Sequence, residues 1–400
     1  MTEHSRLTSA HGAGLQPIDI DDSDLRTWVR DSPRRRTGAP VIDCHDFHRA
    51  LPGYAPTPLV DAPSLASSLG LGAVWVKDET SRLGLPAFKM LGASWATYRA
   101  LSARLGHDVG PWQDVSELAA RFAPLQPLTL AAATDGNHGR AVARMAALLG
   151  LGAVILVPGG TAAARIAAIE GEGAEVRVVD GTYDDAVVAS AALASPEVVV
   201  ISDTSWPGYT DVPGWVIDGY ATIFAEVDAE LEAQGEPGPD AVIVQMGVGA
   251  LAAAAVKWAR RPGRTGPEPL LVVVEPGTAD CGLRSAEAGH PVVVPGPHRS
   301  IMAGLNCGTV SEIAWPVVAA GVDWFVSVDD AAAEAAMRDL ASLGLAAGET
   351  GAAGLAGLRA AVDAGGVVAP GARVLVLCTE GPTDPAAYER IIGSGLPGHT

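Results

Sequence analysis

The sequence is poor in cysteine and in positive charge. Four cysteines in 400 residues are too few for a disulfide framework, and no CxxC pair suggests a structural zinc site. Aspartate and glutamate together number 46 against 27 lysines and arginines, so the formal net charge is −19. This excess of negative charge argues against nucleic acid or an anionic membrane surface as a partner.

Long apolar runs are also missing. The longest, such as Ala146–Pro158, are interrupted by glycine and are too short to cross a bilayer. The first 17 residues are polar and lack the apolar segment of a secretory signal. We therefore expect a cytoplasmic protein that has no membrane partner.

Short β-branched runs alternate with alanine-rich stretches along most of the sequence. Hydrophobic residues make up 48% of the chain, which is enough for a sizeable core. Strands that alternate with helices of this length predict parallel βαβ units with right-handed crossovers. The length favours an α/β protein with two doubly wound open-sheet lobes. Its active site should lie in the cleft between them, beyond the carboxyl ends of the strands.

We expect the chain to form three parts. Residues 1–40 are polar and form an N-terminal arm. Residues 96–211 form a small domain. Residues 41–95 and 212–400 together form a large cofactor-binding domain.

Lys89 lies between Phe88 and Met90, where a turn-rich loop leads into a predicted helix. Apolar neighbours partly desolvate such a lysine, and desolvation disfavours the ammonium form. A neutral amine at this point can act as a nucleophile toward an aldehyde cofactor. The alternative is a lysine whose aliphatic stem packs on its neighbours while its amine stays in water. This stretch alone leaves both interpretations open.

Two glycine-bearing segments follow predicted strands. Residues 247–251 open an alanine-rich helix, and backbone amides at such a helix start can bind phosphate. The glycine pattern of dinucleotide-binding sites is incomplete here, because position 252 is alanine. The alternative to a phosphate site is a simple tight turn between strand and helix. The segment Thr134–Gly139 places Asp135 and Asn137 before another helix. There they could contact a cofactor or only cap the helix. Further loop acids are Asp203, Glu349 and Asp384.

Longer stretches resemble one family. They are PGYAPTPL, VKDETSRLGLPAFKMLGAS, ATDGNHGRAVA, DTSWPGYTDVPGWVIDGYATIFAE, QMGVGALA, SIMAGLNCG, GETGAAGL and TEGPTDPAAY. These segments are similar to those of the diaminopropionate ammonia-lyases, which are fold-type II pyridoxal-phosphate enzymes. The resemblance extends from about Phe47 to Ile392. It implies pyridoxal 5'-phosphate as the cofactor, a homodimer, and α,β-elimination of 2,3-diaminopropionate to pyruvate and ammonia.

The resemblance also implies roles for individual residues. Lys89 would bind the cofactor aldehyde as a Schiff base, Asn137 would contact its ring hydroxyl, and Thr379 would face its pyridine nitrogen. Asp135 and Asp203 would be the two active-site acids, with Lys89 and Asp135 on opposite faces of the ring. The phosphate would be held by the backbone of Gly247, Val248, Gly249, Ala250 and Leu251.

Several alternatives stay open at this stage. A serine or threonine dehydratase on the same scaffold is the nearest one, and the segment that contains Asp203 discriminates against it. A non-catalytic amino-acid-binding protein would not need Lys89, Asn137 and the glycine loop together. The family can join a cysteine pair that matches Cys281 and Cys307, while two free thiols are the alternative in a reducing cytosol.

Overall fold

Eleven strands form two sheets in the computed structural model, which describes residues 26–30, 41–107, 109–134, 136–264 and 266–393. The strands are β1 (Thr27–Val29), β2 (Leu59–Asp61), β3 (Ala73–Asp78), β4 (Thr129–Ala133), β5 (Gly152–Pro158), β6 (Glu175–Val179), β7 (Val198–Val200), β8 (Ala241–Gln245), β9 (Leu270–Pro276), β10 (Trp324–Val328) and β11 (Arg373–Cys378). The larger sheet has the order β1-β10-β9-β8-β11-β3-β2, and the smaller has the order β6-β5-β4-β7.

Parallel pairing dominates both sheets. All pairs of the smaller sheet are parallel, and only the edge strands β1 and β2 of the larger sheet pair in the antiparallel direction. Strand β8 is buried throughout, as expected for a parallel strand covered on both faces. Its residues Val242 and Val244 pack into one hydrophobic cluster and Ile243 into another on the opposite face. The predicted doubly wound α/β architecture is therefore confirmed.

Helices connect the strands and cover the sheets. They are α1 (His45–Arg49), α2 (Pro63–Ser68), α3 (Lys89–Leu105), α4 (Val115–Phe122), α5 (Asn137–Leu149), α6 (Ala163–Glu170), α7 (Tyr183–Ala191), α8 (Asp211–Gly219), α9 (Ala221–Gln234), α10 (Ala250–Ala259), α11 (Cys281–Ala288), α12 (Trp315–Gly321), α13 (Asp330–Ser342), α14 (Glu349–Asp363) and α15 (Pro385–Ile392). Within the described parts of the chain, no helix combines the length and apolarity needed to cross a membrane.

The two sheets are formed by different parts of the chain. Strands β4 to β7 all lie within residues 96–211, and the strands of the larger sheet lie outside that range. The exact boundaries stay a prediction, because α3 crosses position 95/96 without a break. Of the predicted N-terminal arm, residues 26–30 lie against the larger sheet as β1, and the remainder lies outside the described residues.

Helix α14 lies unusually close to the strands beneath it, because glycines form its contact face. A Cβ added to Gly351 would lie 2.1 Å from the carbonyl oxygen of Glu380, and one added to Gly357 would lie 2.1 Å from Cγ2 of Val274. Glycine in a helix interior costs about 1 kcal/mol relative to alanine. Glycine occurs at these positions because larger side chains would separate α14 from β11 and β9.

A buried ionic cluster fixes the segment that leads to Lys89. Lys77 and Glu226 form a 2.6 Å ion pair, and Arg82 pairs at 2.6 Å with both Glu79 and Glu226. All four side chains are almost completely buried, and two positive charges balance two negative ones. Since Glu226 belongs to α9 while its partners belong to β3 and the following loop, the cluster joins these elements.

The pKa of Glu226 shows how the cluster depends on pH. Burial alone would raise this pKa, but hydrogen bonds and charges from Arg82 and Lys77 lower it to about 2. The ordinary value is 4.5, so the folded state holds the proton less tightly than the unfolded chain. The carboxylate's contribution to stability is therefore fully present above about pH 5 and is lost as the pH falls toward 2.

We expect Glu226→Gln to lower the free energy of unfolding at pH 7 by about 3–5 kcal/mol, because Arg82 and Lys77 lose a buried carboxylate. The decline of stability below about pH 5 should also become shallower. Denaturant unfolding at pH 7 and at acidic pH measures both effects. Glu334→Gln is the matched control, since its pair with Arg338 is exposed and should contribute less than about 1 kcal/mol. Equal effects of the two substitutions would contradict the prediction.

Candidate active site

One cavity lies where the carboxyl ends of β8 and β11 meet the start of α5. Lys89 and Asp203 form one side of this cavity, and the glycine loop after β8 forms another. It brings together the predicted site residues Lys89, Asn137, Asp203, Gly247, Val248, Gly249, Ala250, Leu251 and Thr379. Asp135, the remaining predicted residue, lies outside the described residues.

Lys89 is the first residue of α3, and its side chain is 19% exposed. Its Nζ donates a 2.7 Å hydrogen bond to Oδ2 of Asp203. The ring of Phe88 lies 5.5 Å from the same nitrogen and packs against Tyr220. The lysine therefore carries its charged end into the cavity, instead of extending it into bulk water.

Asp203 follows β7 and presents both carboxylate oxygens to the cavity side chains. Oδ2 accepts from Lys89, and Oδ1 accepts a 2.9 Å hydrogen bond from Oη of Tyr183. Burial alone would raise the pKa of Asp203, but the charges of Lys89 and His138 and the two hydrogen bonds hold it well below its usual range. Asp203 is therefore a carboxylate at working pH, and its ion pair with Lys89 stabilises the ammonium form of the lysine.

The glycine loop after β8 forms a cradle with little side-chain volume. Gly249 has φ +98° immediately before α10, a conformation that L side chains rarely adopt. A Cβ on Gly247 would lie 3.0 Å from the carbonyl oxygen of Gly304 and 3.1 Å from Sγ of Cys307. The first amides of α10 have no carbonyl partner within the helix. Such a start of a helix binds an anionic group such as phosphate.

Thr379 follows β11 directly, and Gln245 orients its hydroxyl. Nε2 of Gln245 donates to Oγ1 of Thr379 at 2.9 Å and to the carbonyl oxygens of Thr350 and Leu377 at 3.0 and 3.1 Å. The Thr379 hydroxyl thus accepts one hydrogen bond, and its own proton has a more distant acceptor, the Thr350 carbonyl 3.5 Å away. A hydroxyl in this arrangement can donate to an unprotonated ring nitrogen.

Asn137 begins α5 at the opposite side of the cavity. Its Nδ2 donates a hydrogen bond to Oε2 of Glu380. The next residue, His138, is buried, and its Nε2 lies 2.7 Å from the carbonyl oxygen of Ile201. His138 therefore joins the start of α5 to the segment that carries Asp203.

The site contains residues that the sequence did not single out, namely Tyr183, Gln245 and Glu380. Gln245 lies just before the glycine loop, and Glu380 directly follows Thr379. Their closeness in sequence to these predicted elements is the signal that could have identified them. Tyr183 begins α7 and reaches Asp203 only through the tertiary fold.

The other candidates lie outside this arrangement. Asp384 caps α15 through the amides of Ala386 and Ala387. Glu349 begins α14 and does not line the cavity. Cys281 and Cys307 are both buried, and the two alternatives for this pair stay predictions. Cys378 is buried at the end of β11.

Comparison with known proteins gives this geometry a family. The model of the family described as "Pyridoxal-phosphate dependent enzyme" matches residues 50–380. The chain is 36% identical over 377 residues to the diaminopropionate ammonia-lyase of Salmonella typhimurium, covering 87% of this chain and 91% of the relative. It is 37% identical over 365 residues to that of Escherichia coli K12, covering 87% and 90%.

Solved structures lead to the same group. The crystal structure of Escherichia coli diaminopropionate ammonia lyase in complex with D-serine matches with a TM-score of 0.82 and 33% identity, covering 92% of this chain and 97% of that one. Its complex with an aminoacrylate–PLP azomethine reaction intermediate matches equally well. Threonine deaminase isoform 2 from Solanum lycopersicum shares the fold, with a TM-score of 0.73 at 20% identity. The chain therefore belongs to the pyridoxal-phosphate dependent enzyme family and, within it, to the fold-type II diaminopropionate ammonia-lyase family.

Proposed function

We propose that this protein catalyses the α,β-elimination of 2,3-diaminopropionate to pyruvate and ammonia with pyridoxal 5'-phosphate. The observation that carries the proposal is the ion pair between Lys89 and Asp203 beside the glycine loop. A lysine alone would fit many enzymes of this fold, whereas a buried carboxylate beside it suits a substrate with two amino groups. The names of the full-length relatives agree with this assignment.

The residues that line the cavity fit the cofactor. The amine of Lys89 would bind its aldehyde, the amides of residues 247–251 its phosphate, and the Thr379 hydroxyl its pyridine nitrogen. Asn137 would contact its ring hydroxyl. When bound, the cofactor supplies an electron sink that acidifies the substrate's Cα proton. A hydroxyl at the ring nitrogen, in place of a carboxylate, keeps that nitrogen unprotonated and favours prompt elimination.

The protonation state of Lys89 controls the first step. Its ion pair with Asp203 favours the ammonium form, and Nζ must lose a proton before it can act as a nucleophile. With its amine free, Lys89 would remove the Cα proton on its own side of the cavity. We assign Asp135 as the base for the other enantiomer, on the resemblance to the family.

Asp203 also explains the preference for a second amino group. With its amine bound to the cofactor, Lys89 would no longer present an ammonium group to the buried Asp203 carboxylate. The β-ammonium group of 2,3-diaminopropionate restores a positive partner, and the β-hydroxyl of serine does not. Because an unpaired buried charge costs several kcal/mol, the pocket discriminates in favour of the diamino acid. The same carboxylate can hold a proton near the departing nitrogen.

Two further properties are proposals, the first resting on the family resemblance and the second on the composition of the sequence. One is that the enzyme is a homodimer, and the other is that it acts in the cytoplasm. The net charge of −19 supports the absence of nucleic acid among its partners.

The proposed function is tested by assaying the purified protein, supplied with pyridoxal phosphate, for pyruvate formation from each enantiomer of 2,3-diaminopropionate and from serine and threonine. We expect kcat/KM for 2,3-diaminopropionate to exceed that for serine by about 100-fold, as the loss of one buried charge pair implies. Faster turnover of serine or threonine would identify a dehydratase instead. A colourless protein that takes up no cofactor would overturn the assignment altogether.

A further inference from the structure

Glu380 is a buried carboxylate in the site that has no role in the mechanism above. It follows Thr379 directly, and its side chain is almost completely buried. It lines the cavity and accepts a hydrogen bond from Nδ2 of Asn137, 243 positions away in the chain. Burying a carboxylate is costly unless it serves a partner, so this contact needs an explanation.

The backbone holds Glu380 rigidly in place. Ala87 and Glu380 form an antiparallel bridge, and the amide of Gly381 donates to the carbonyl oxygen of Pro86 at 2.9 Å. The carbonyl oxygen of Glu380 accepts from the amide of Gly348 at 3.0 Å. These bonds connect Glu380 to the loop that precedes Lys89 and to the start of α14. Its carboxylate is therefore a fixed point on the larger sheet's side of the cleft.

We propose that Glu380 is a positioning residue that fixes the orientation of the Asn137 side-chain amide for the cofactor's ring hydroxyl. An asparagine amide can turn by 180° and present either its oxygen or its nitrogen. An ionised carboxylate only accepts hydrogen bonds, so Glu380 selects the orientation in which the nitrogen faces it. The amide nitrogen has two N–H groups, and the second then donates to the ring hydroxyl oxygen. This proposal rests on the cofactor site described under the proposed function.

The arrangement joins two contacts at different edges of the cofactor ring. Thr379 serves the ring nitrogen, and its neighbour Glu380 serves the ring hydroxyl through Asn137. Because Asn137 begins α5 on the smaller sheet's side, the hydrogen bond also crosses the cleft. Glutamine at position 380 has nearly the same shape but both donates and accepts, so it would no longer select one orientation of Asn137.

The test measures the dissociation constant of pyridoxal phosphate from apoprotein by quenching of tryptophan fluorescence, without any turnover. We expect Glu380→Gln to weaken binding about 10-fold, which corresponds to the loss of one well-oriented hydrogen bond. In an Asn137→Ala background the same substitution should change binding less than about 2-fold, because the group through which it acts is gone. A cofactor analogue that lacks the ring hydroxyl should bind wild type and Glu380→Gln equally.

Controls separate this role from a structural one. Thr383 lies three residues after Glu380 in the same loop, and its hydroxyl accepts a 3.1 Å hydrogen bond from Nε of Arg165 across the cleft. The variant Thr383→Val removes this bond and should leave cofactor affinity unchanged. Thermal unfolding of each apoprotein checks folding. If Glu380→Gln does not fold, Glu380→Asp takes its place in the test. Aspartate keeps a carboxylate acceptor, so this variant should still bind the cofactor more tightly than the analogue that lacks the ring hydroxyl.

Two outcomes would overturn the positioning role. One is an equal loss of affinity for the cofactor and for the analogue that lacks the hydroxyl. The other is an unchanged effect of Glu380→Gln in the Asn137→Ala background. Failure of the wild-type apoprotein to bind pyridoxal phosphate at all would instead refute the cofactor site and the proposed function with it.

Discussion

Lys89→Ala should abolish pyruvate formation from both enantiomers of 2,3-diaminopropionate, lowering kcat by on the order of 10³-fold or more. The substitution removes the Nζ that pairs with Asp203 at 2.7 Å and that would bind the cofactor. Alanine is a strong helix former, so α3 should still begin at this position. Reduction with borohydride before denaturation should leave cofactor attached to the wild type and none attached to the variant.

Lys257→Ala is the matched control for that experiment. Lys257 forms a comparable ion pair with Asp218 at 2.9 Å but does not line the cavity. The control should keep its turnover and its covalent labelling. Pyruvate formation by Lys89→Ala at a rate close to that of the control would exclude the assignment of Lys89.

Asp203→Asn should lower kcat/KM for 2,3-diaminopropionate by about 10²- to 10⁴-fold, the usual range for a group that moves a proton. The loss for serine should be clearly smaller. Asparagine keeps the size and one acceptor of Asp203, but it removes the negative charge that would bind the β-ammonium group. The measurement compares kcat/KM for the two substrates in wild type and variant.

Asp384→Asn is the control for charge removal at a loop acid. Asp384 caps α15, and asparagine is an equally good cap, so both activities should persist. Equal losses on 2,3-diaminopropionate and serine in Asp203→Asn would mean that Asp203 does not recognise the second amino group. A serine or threonine dehydratase would then again be an alternative function.

The general architecture and most of the site could be predicted from local patterns. Parallel strands are mostly apolar runs, such as AVIV in β8, and each glycine-bearing turn lies at a strand end. Lys89 was predicted at the junction of a loop and a helix, and it is the first residue of α3. These features depend only on residues that are close in sequence, so they can be predicted from local sequence patterns.

Other features depend on the tertiary fold. The bonds from Tyr183 to Asp203 and from Asn137 to Glu380 join separate elements, and no periodicity indicates them. Helices α8 and α9 meet at Tyr220. Tyr220 is fully buried, and its ring packs against that of Phe88.

The close approach of α14 to β11 has a consequence for how this enzyme can vary. Because a Cβ on Gly351 would displace the helix from the Glu380 carbonyl, a library of substitutions along that face should yield few active members. The Thr350 carbonyl would move with the helix and would disturb the Gln245 amide that orients Thr379. New substrate preferences should therefore arise more readily in the loop around Asp203 than along α14.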